Sequence, residues 1–278
     1  MPESTPDPLL EVDDLRVSFP APGGRVEVVR GVSFSLGRER LGIVGESGSG
    51  KSMTGRAILR LIRPPGRVAA ARLRFDGIDL RTLSERRMRA LRGARLSMVM
   101  QDPKFSLHPI MTVGRQIAES LRAHESPSRR EVRERTLEML RAVRIDDPER
   151  VAGLHPHEIS GGMGQRVMIA MMLVARPDLL IADEPTSALD VSVQASVLDL
   201  IDELVTGRGM GLILISHDLD LVARYCDRIL VMRAGEVVEA CPARDLHRAG
   251  HPYTRALLAS VPRLDETRER LPVPEAAT

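Results

Sequence analysis

Eight consecutive residues, Gly45-Glu46-Ser47-Gly48-Ser49-Gly50-Lys51-Ser52, fit the pattern G-x-x-x-x-G-K-[ST]. That spacing suits a polyphosphate. Glycines let backbone N–H groups turn inward around an anion, and a helix starting at the end of the loop adds its positive pole. Lys51 offers a compact charge to the terminal phosphates, Ser52 a hydroxyl for Mg²⁺, and Met53 continues the same first helical turn. Only two of the 40 basic residues are lysines, Lys51 and Lys104, so about 0.001 accidental matches to the pattern are expected in the chain. The loop is expected to bind a nucleoside triphosphate.

A second set of polar residues stands at the ends of apolar runs. Leu179–Ala182 leads into Asp183 and Glu184, Leu212–Ile215 into His217, and Leu96–Met100 into Gln101. In a doubly wound sheet the ligand crevice lies outside the carboxyl ends of the strands. Asp183 would then hold Mg²⁺ through water. Glu184 would polarise an attacking water as general base, a role worth about 10²–10⁴ in rate. Acids also follow buried strands at plain surface turns, and a histidine after a strand is most often structural. The coincidence of three such ends favours the functional reading, with His217 beside a γ-phosphate.

The elements that must position these groups can be traced in outline. Short strand-like runs at Leu9–Val12, Leu15–Phe19, Val26–Val29 and Val32–Leu36 flank Pro20-Ala21-Pro22-Gly23-Gly24 and predict a small antiparallel unit. Leu41-Gly42-Ile43-Val44 predicts a buried strand before the loop, and a helix is expected from Lys51 to Ile62, stopped by Pro64-Pro65. Ser84 is placed to cap a helix running to Leu91. The stretch 101–176 reads as helical, with Ser128 as an N-cap and Val132, Leu137, Leu140 and Val143 as a stripe. Strands at Leu179–Ala182, Leu212–Ile215 and Ile229–Met232 return after it. Between the first two, Val193, Val197, Leu200, Ile201 and Leu204 mark an amphipathic helix. Such alternation implies an α/β fold with a parallel sheet covered on both faces.

In order, Gly45–Ser52, Gln101, Ile159-Ser160-Gly161-Gly162-Met163, Leu179–Glu184, Ser187-Ala188-Leu189-Asp190 and His217 resemble the ABC ATPase series: Walker A, Q-loop, signature, Walker B, D-loop and H-loop. Kinases and GTPases lack the signature. The resemblance implies a P-loop NTPase with a RecA-like parallel core, an antiparallel β subdomain and an inserted helical subdomain at about 102–176. It implies domain limits of 1–8 for a tail, 9–250 for the nucleotide-binding domain and 251–278 for a C-terminal extension. Ser160, Gly161 and Gly162 would reach the γ-phosphate held on a partner subunit's Walker A. Two ATP molecules would be sandwiched head-to-tail, with Asp190 in the nucleotide set and Gln101 as sensor and Mg²⁺ ligand. Phe19 falls where the family stacks an aromatic on adenine, worth roughly 0.5–1.5 kcal/mol beyond burial, although a core role for it stays open. Physically, Ser160-Gly161-Gly162 open a helix and present its free N–H groups. Ile159 and Met163 depart from the usual LSGGQ.

Gln101-Asp102-Pro103 with Ser106-Leu107-His108-Pro109, and His251-Pro252-Tyr253 with Leu257-Leu258 and Val261-Pro262, are similar to the oligopeptide, dipeptide and nickel importer branch. That branch usually has asparagine at position 108 and arginine at position 164, where this chain has His108 and Gly164. The resemblance implies an ATPase energising import of peptides, nickel or metal chelates. Its partners would be a second ATPase subunit, usually a paralogue, two transmembrane permease subunits and an extracytoplasmic binding protein. It would sit on the cytoplasmic face of a bacterial inner membrane. Without the cysteine-rich extension of some members, no iron–sulfur cluster is expected.

Composition agrees with that reading. The chain has 278 residues, 43% of them hydrophobic, and a formal charge of +2, enough for a full core and no global argument for nucleic acid. Cys226 and Cys241 lack metal-site spacing. Met1–Pro8 is acidic and Pro-rich, unlike a signal peptide, and the longest apolar run, Val167–Ala175, is far short of a membrane span. The alternative of a soluble ABC ATPase acting on DNA or the ribosome would call for coiled-coil arms, zinc modules or tandem cassettes. A regulatory protein that binds ATP without hydrolysing it is opposed by Glu184 and His217.

Overall fold

The structure, a computed structural model, describes residues 7–100, 107–187 and 191–260. The chain divides into two units, Met1–Arg81 with Ile213–Thr278, and Thr82–Leu212. The first unit begins with β1 (Leu10–Ala21) and β2 (Gly24–Leu36), an antiparallel pair in register from Leu10 opposite Leu36 to Ala21 opposite Gly24. Their inward faces explain why four short strands are expected from sequence where two long ones stand. Leu10 and Val12 are buried, then Leu15 and Val17, so the period-two alternation slips by one residue between Val12 and Leu15. β2 slips in the same way between Val29 and Val32. Asp14 and Gly31, at φ 48° and 78°, sit in these slips. Such irregularities absorb the extra residue and keep one face inward. β4 (Arg67–Ala69) and β5 (Arg72–Phe75) both pair with β1, and β6 (Ile78–Asp79) pairs with β5.

The same unit holds β3 (Arg40–Val44), β10 (Arg228–Arg233), β11 (Glu236–Pro242) and, from Ile213 on, β9 (Gly211–Ile215), in the order β11-β10-β3-β9. β10 runs parallel to β3, and β11 runs antiparallel to β10. The unbroken apolar runs LGIV and ILVM are buried along their length, as strands covered on both faces require. Where β3 and β10 begin, Arg40 donates to Asp227 from its backbone N and its guanidinium at 2.9–3.1 Å. That pairing holds the Asp227 carboxyl below its usual range. Helix α1 (Lys51–Ile58) ends four residues before the expected Ile62. Its end is a Schellman closure: Leu61 N–H donates to Arg56 O, Arg60 N–H to Ala57 O, and Arg60 is left-handed at φ 52°.

In the second unit, β7 (Leu96–Val99) and β8 (Leu179–Asp183) pair in parallel, both fully buried. The helices are α2 (Glu85–Leu91), α3 (Val113–Arg122), α4 (Arg129–Ala142), α5 (Pro148–Gly153), α6 (Gly161–Leu173) and α7 (Val191–Gly207). Ser84 caps α2, accepting from Arg87 N, and Ser128 caps α4 in a full capping box with Glu131, both as expected. Of the expected helical stripe Val132, Leu140 and Val143 are buried, and Leu137 is half-buried. Val113, Ile117 and Leu121 of α3 form the facing stripe. Buried Gln116 ties down the segment before α3. It accepts from His108 N at 2.7 Å and donates to His108 O and Met111 O at 3.0 and 2.9 Å. Only the backbone of residue 108 enters this clamp, so histidine in place of the branch's asparagine leaves it intact.

Candidate functional site

The phosphate loop belongs to the first unit and follows directly on β3. Its shape is fixed by close backbone packing. A Cβ on Gly45 would lie 2.1 Å from Met232 O, and one on Gly50 would lie 2.5 Å from Val28 O. Both glycines have positive φ, 149° and 100°, so no other residue fits either place. Gly235 N–H donates to Ser49 O at 3.0 Å, and Arg30 N–H to Gly235 O at 2.7 Å, which fastens the loop to the β10–β11 turn and to β2. Gly50 stands at the N-cap of α1 without a side-chain cap. Glycine there brings no side chain of its own to the first turn of α1, which suits a helix N-terminus that receives an anion.

Lys51 is 5% exposed, and its Nζ donates to Gly45 O at 2.7 Å and Glu46 O at 2.8 Å. The ammonium thus lies inside the curl of the loop, the position from which it can move onto a phosphate. Ser52 and Met53 are half-buried in the first turn of α1, and Glu46, Ser47 and Gly48 are exposed. His217 lies in the same unit. Ser216 N–H donates to Ile43 O at 3.1 Å, which brings the end of β9 beside the end of β3 and sets exposed His217 two residues beyond Ile215. Phe19 is half-buried near the end of β1. A Cβ on Gly66 would meet its ring at 2.7 Å, so one edge packs on the 63–66 segment.

Asp183 and Glu184 belong to the second unit. Asp183 ends β8 and is 2% exposed. Glu184 follows at φ 46°, a left-handed conformation costly for a side-chain-bearing residue and typical of functional positions. Glu184 O accepts from Ser187 N and Oγ at 3.3 and 3.2 Å. Sequence reasoning missed Gln165. Buried in the second turn of α6, it donates from Nε2 to Pro185 O and ties the signature helix to the turn after Glu184. Ser97 Oγ on β7 donates to Met172 O at 2.8 Å at the other end of α6. An amide beside Arg166, just before the apolar run Val167–Leu173, was the available signal.

Ser160 is the N-cap of α6, and its hydroxyl accepts from Met163 N at 3.3 Å. That bond leaves the hydroxyl proton to be donated elsewhere. Ser160 and Gly161 are exposed, Gly162 half-buried. Among the described residues no cluster of three or more His, Cys, Asp or Glu gathers. A serine hydroxyl in the first turn of the helix after a phosphate loop, as at Ser52, suits a cation that keeps water and substrate phosphates as its other ligands, as Mg²⁺ does. Gln101, Asp102, Pro103, Lys104, Ser106, Ala188, Leu189, Asp190, Val261 and Pro262 lie outside the described residues. The sequence also left Tyr253 without a role. Its hydroxyl oxygen accepts from Glu46 N at 3.1 Å, so the C-terminal segment touches the loop.

Known proteins match along nearly the whole chain. A model of the ABC transporter family matches residues 29–187. The dipeptide transport ATP-binding protein DppD of Haemophilus influenzae is 50% identical over 265 residues, covering 95% of this chain and 80% of that protein. The oligopeptide transport ATP-binding protein OppD of Bacillus subtilis is 49% identical over 264 residues, covering 94% and 74%. Among solved structures, the ATP-binding cassette MJ0796, a dimer in a post-hydrolysis state bound to ADP and Pi, aligns with a TM-score of 0.75. Its identity is 26%, with 84% of this chain and 99% of that one covered. A phosphate loop built on β3, a signature serine capping α6 and these matches agree: the chain belongs to the ABC transporter family.

Proposed function

We propose that this chain is the ATP-hydrolysing subunit of an ABC importer for peptides. The observation that carries the reading is identity of about half the residues with dipeptide and oligopeptide transport ATP-binding proteins along nearly the full chain. The names of those relatives favour peptides over the nickel or metal chelates that the branch also includes. No described feature supports the alternative of a nucleic-acid or ribosome ATPase.

The roles follow from residue chemistry. Gly45–Ser52 would wrap the phosphates, with Lys51 leaving its carbonyls for the terminal phosphate oxygens. Phe19 would stack on adenine. Glu184 would take a proton from the attacking water, and His217 and Gln101 would contact the γ-phosphate. Ser52, Asp183 and Gln101 are the residues that would hold Mg²⁺, which when bound neutralises charge on the phosphates. Ser160 would donate its free hydroxyl proton to the γ-phosphate of a partner subunit, with Gly161, Gly162 and Asp190 alongside.

No helix among the described residues is long and apolar enough to cross a membrane, so membrane association would come through permease subunits. The segment from Gln101 to Pro109 is the candidate face for them, and Ile110, 79% exposed next to it, supplies apolar surface for such a contact. The cytoplasmic face of the inner membrane, a second ATPase subunit and a substrate-binding protein complete the assembly. The test is steady-state ATP hydrolysis with Glu184→Gln as control. A fall of about 10²–10⁴ with ATP binding retained is expected; equal rates in both proteins would refute the catalytic assignment. In the assembled transporter, Gln101→Ala is expected to uncouple transport from hydrolysis.

A further inference from the structure

The turn Gly250–Tyr253 is built more firmly than a chain end requires. Glu239 Oε1 accepts from Gly250 N at 2.6 Å and from His251 N at 3.4 Å, and Tyr253 N–H donates to His251 Nδ1 at 3.2 Å. The turn leads into α8 (Pro252–Ser260), whose Tyr253 and Thr254 are buried. Tyr253 is 5% exposed, with the Arg233 guanidinium 5.1 Å from its ring centroid. What this construction presents is one oxygen, which accepts the N–H of Glu46 in the phosphate loop at 3.1 Å.

The Glu46 residue is held from two sides. Its carbonyl accepts from Lys51 Nζ at 2.8 Å and from Ser49 N at 3.2 Å, inside the loop. Its N–H points outward to Tyr253. The direction of that peptide sets where the following N–H groups aim, because each link of a tight loop constrains the next. Burial pushes the Tyr253 phenol above its ordinary range. It is therefore neutral at physiological pH and brings no negative charge near the phosphates.

We propose that Tyr253 is a positioning residue for the phosphate loop: the C-terminal turn, clamped by Glu239, presets the Glu46 peptide so that the loop is shaped for phosphate before nucleotide arrives. The proposal rests on the nucleotide-binding reading above. A preset loop spends less of its binding free energy on ordering itself, so the effect belongs to nucleotide affinity and not to the hydrolytic step.

Tyr253→Phe in the full-length chain keeps the ring and its contact with Arg233 and removes only the oxygen. The dissociation constants of ATP and ADP, measured with a fluorescent nucleotide, are expected to rise about 3–10-fold. KM for ATP should rise in step while kcat stays within about twofold. Amide exchange in the peptide containing Glu46 should quicken about tenfold, with that of β10 unchanged. Glu239→Ala should raise the dissociation constants in the same way, and Glu239→Gln, which keeps a carbonyl acceptor, should restore them to within about twofold of the parent. Unchanged ATP affinity and unchanged exchange at Glu46 in Tyr253→Phe overturn the proposal. If Tyr253→Phe does not fold, unchanged affinity in Glu239→Ala overturns it. A parent protein that binds no ATP refutes the nucleotide reading instead, so the two failures are distinguishable.

Discussion

Gly45 and Gly48 are both glycines of the phosphate loop, and both have positive φ, yet they differ in what surrounds them. A methyl on Gly45 would press on the Met232 carbonyl at 2.1 Å, a backbone atom that cannot swing aside, whereas nothing lies within 4 Å of a methyl on Gly48. Gly48→Ala should therefore cost only the left-handed strain, about 1–2 kcal/mol. Gly45→Ala should cost more than about 3 kcal/mol and abolish nucleotide binding. Urea unfolding of the two variants decides it; equal losses would mean that the close approach is not what the glycine serves. The observed cap role of Ser160 and its proposed role toward a γ-phosphate separate in the same way. Its oxygen accepts from Met163 N–H, so Ser160→Ala should cost about 1 kcal/mol of stability as a lost cap in the isolated chain. ATP binding by that chain should be unchanged, while hydrolysis falls.

At the scale of elements, Gly164 gives the clearest prediction. It sits buried in α6, and a Cβ there would lie 3.7 Å from Leu107 Cδ1, an ordinary contact. Gly164→Ala should stabilise the protein by about 0.5–1 kcal/mol, since helical glycine loses more chain entropy than alanine; a destabilised variant would show that the space is needed for something else. The neighbouring elements also mark how far the sequence could be read. Fully buried strands such as β8 and β9 were legible because parallel strands covered on both faces read as near-continuous apolar runs. Caps at Ser84 and Ser128 were legible because serine placed before an acidic first turn has a local chemical meaning. The ends of α1 and α4 were not, because the left-handed residues that close them are Arg60 and Arg144 and not glycines. Nor was the continuity of β1 and β2, whose bulges break the alternation that marks a strand. The places of Lys51 at a helix start, Asp183 at a strand end and Ser160 at an N-cap could be read from spacing along the chain. Tyr253 lies 207 residues from its partner Glu46, and no local pattern records a contact of that span.

For the whole molecule, nucleotide binding and stability are coupled by mass action. A ligand that binds only the folded chain adds RT ln(1 + [L]/Kd), about 2.7 kcal/mol at 100 times Kd. A chain of 278 residues converts each kcal/mol into about 2–4 °C of melting temperature, so saturating ATP should raise the midpoint by about 5–10 °C. On the proposed reading the shift comes through the loop, where Lys51 and the first turn of α1 would meet the phosphates. Lys51→Ala should therefore remove most of the ATP-induced shift. Glu184→Gln, which keeps the loop and alters only the residue after β8, should retain all of it. A scan of the three proteins with and without ATP measures both, and a full shift in Lys51→Ala would show that the triphosphate is held by some other part of the chain.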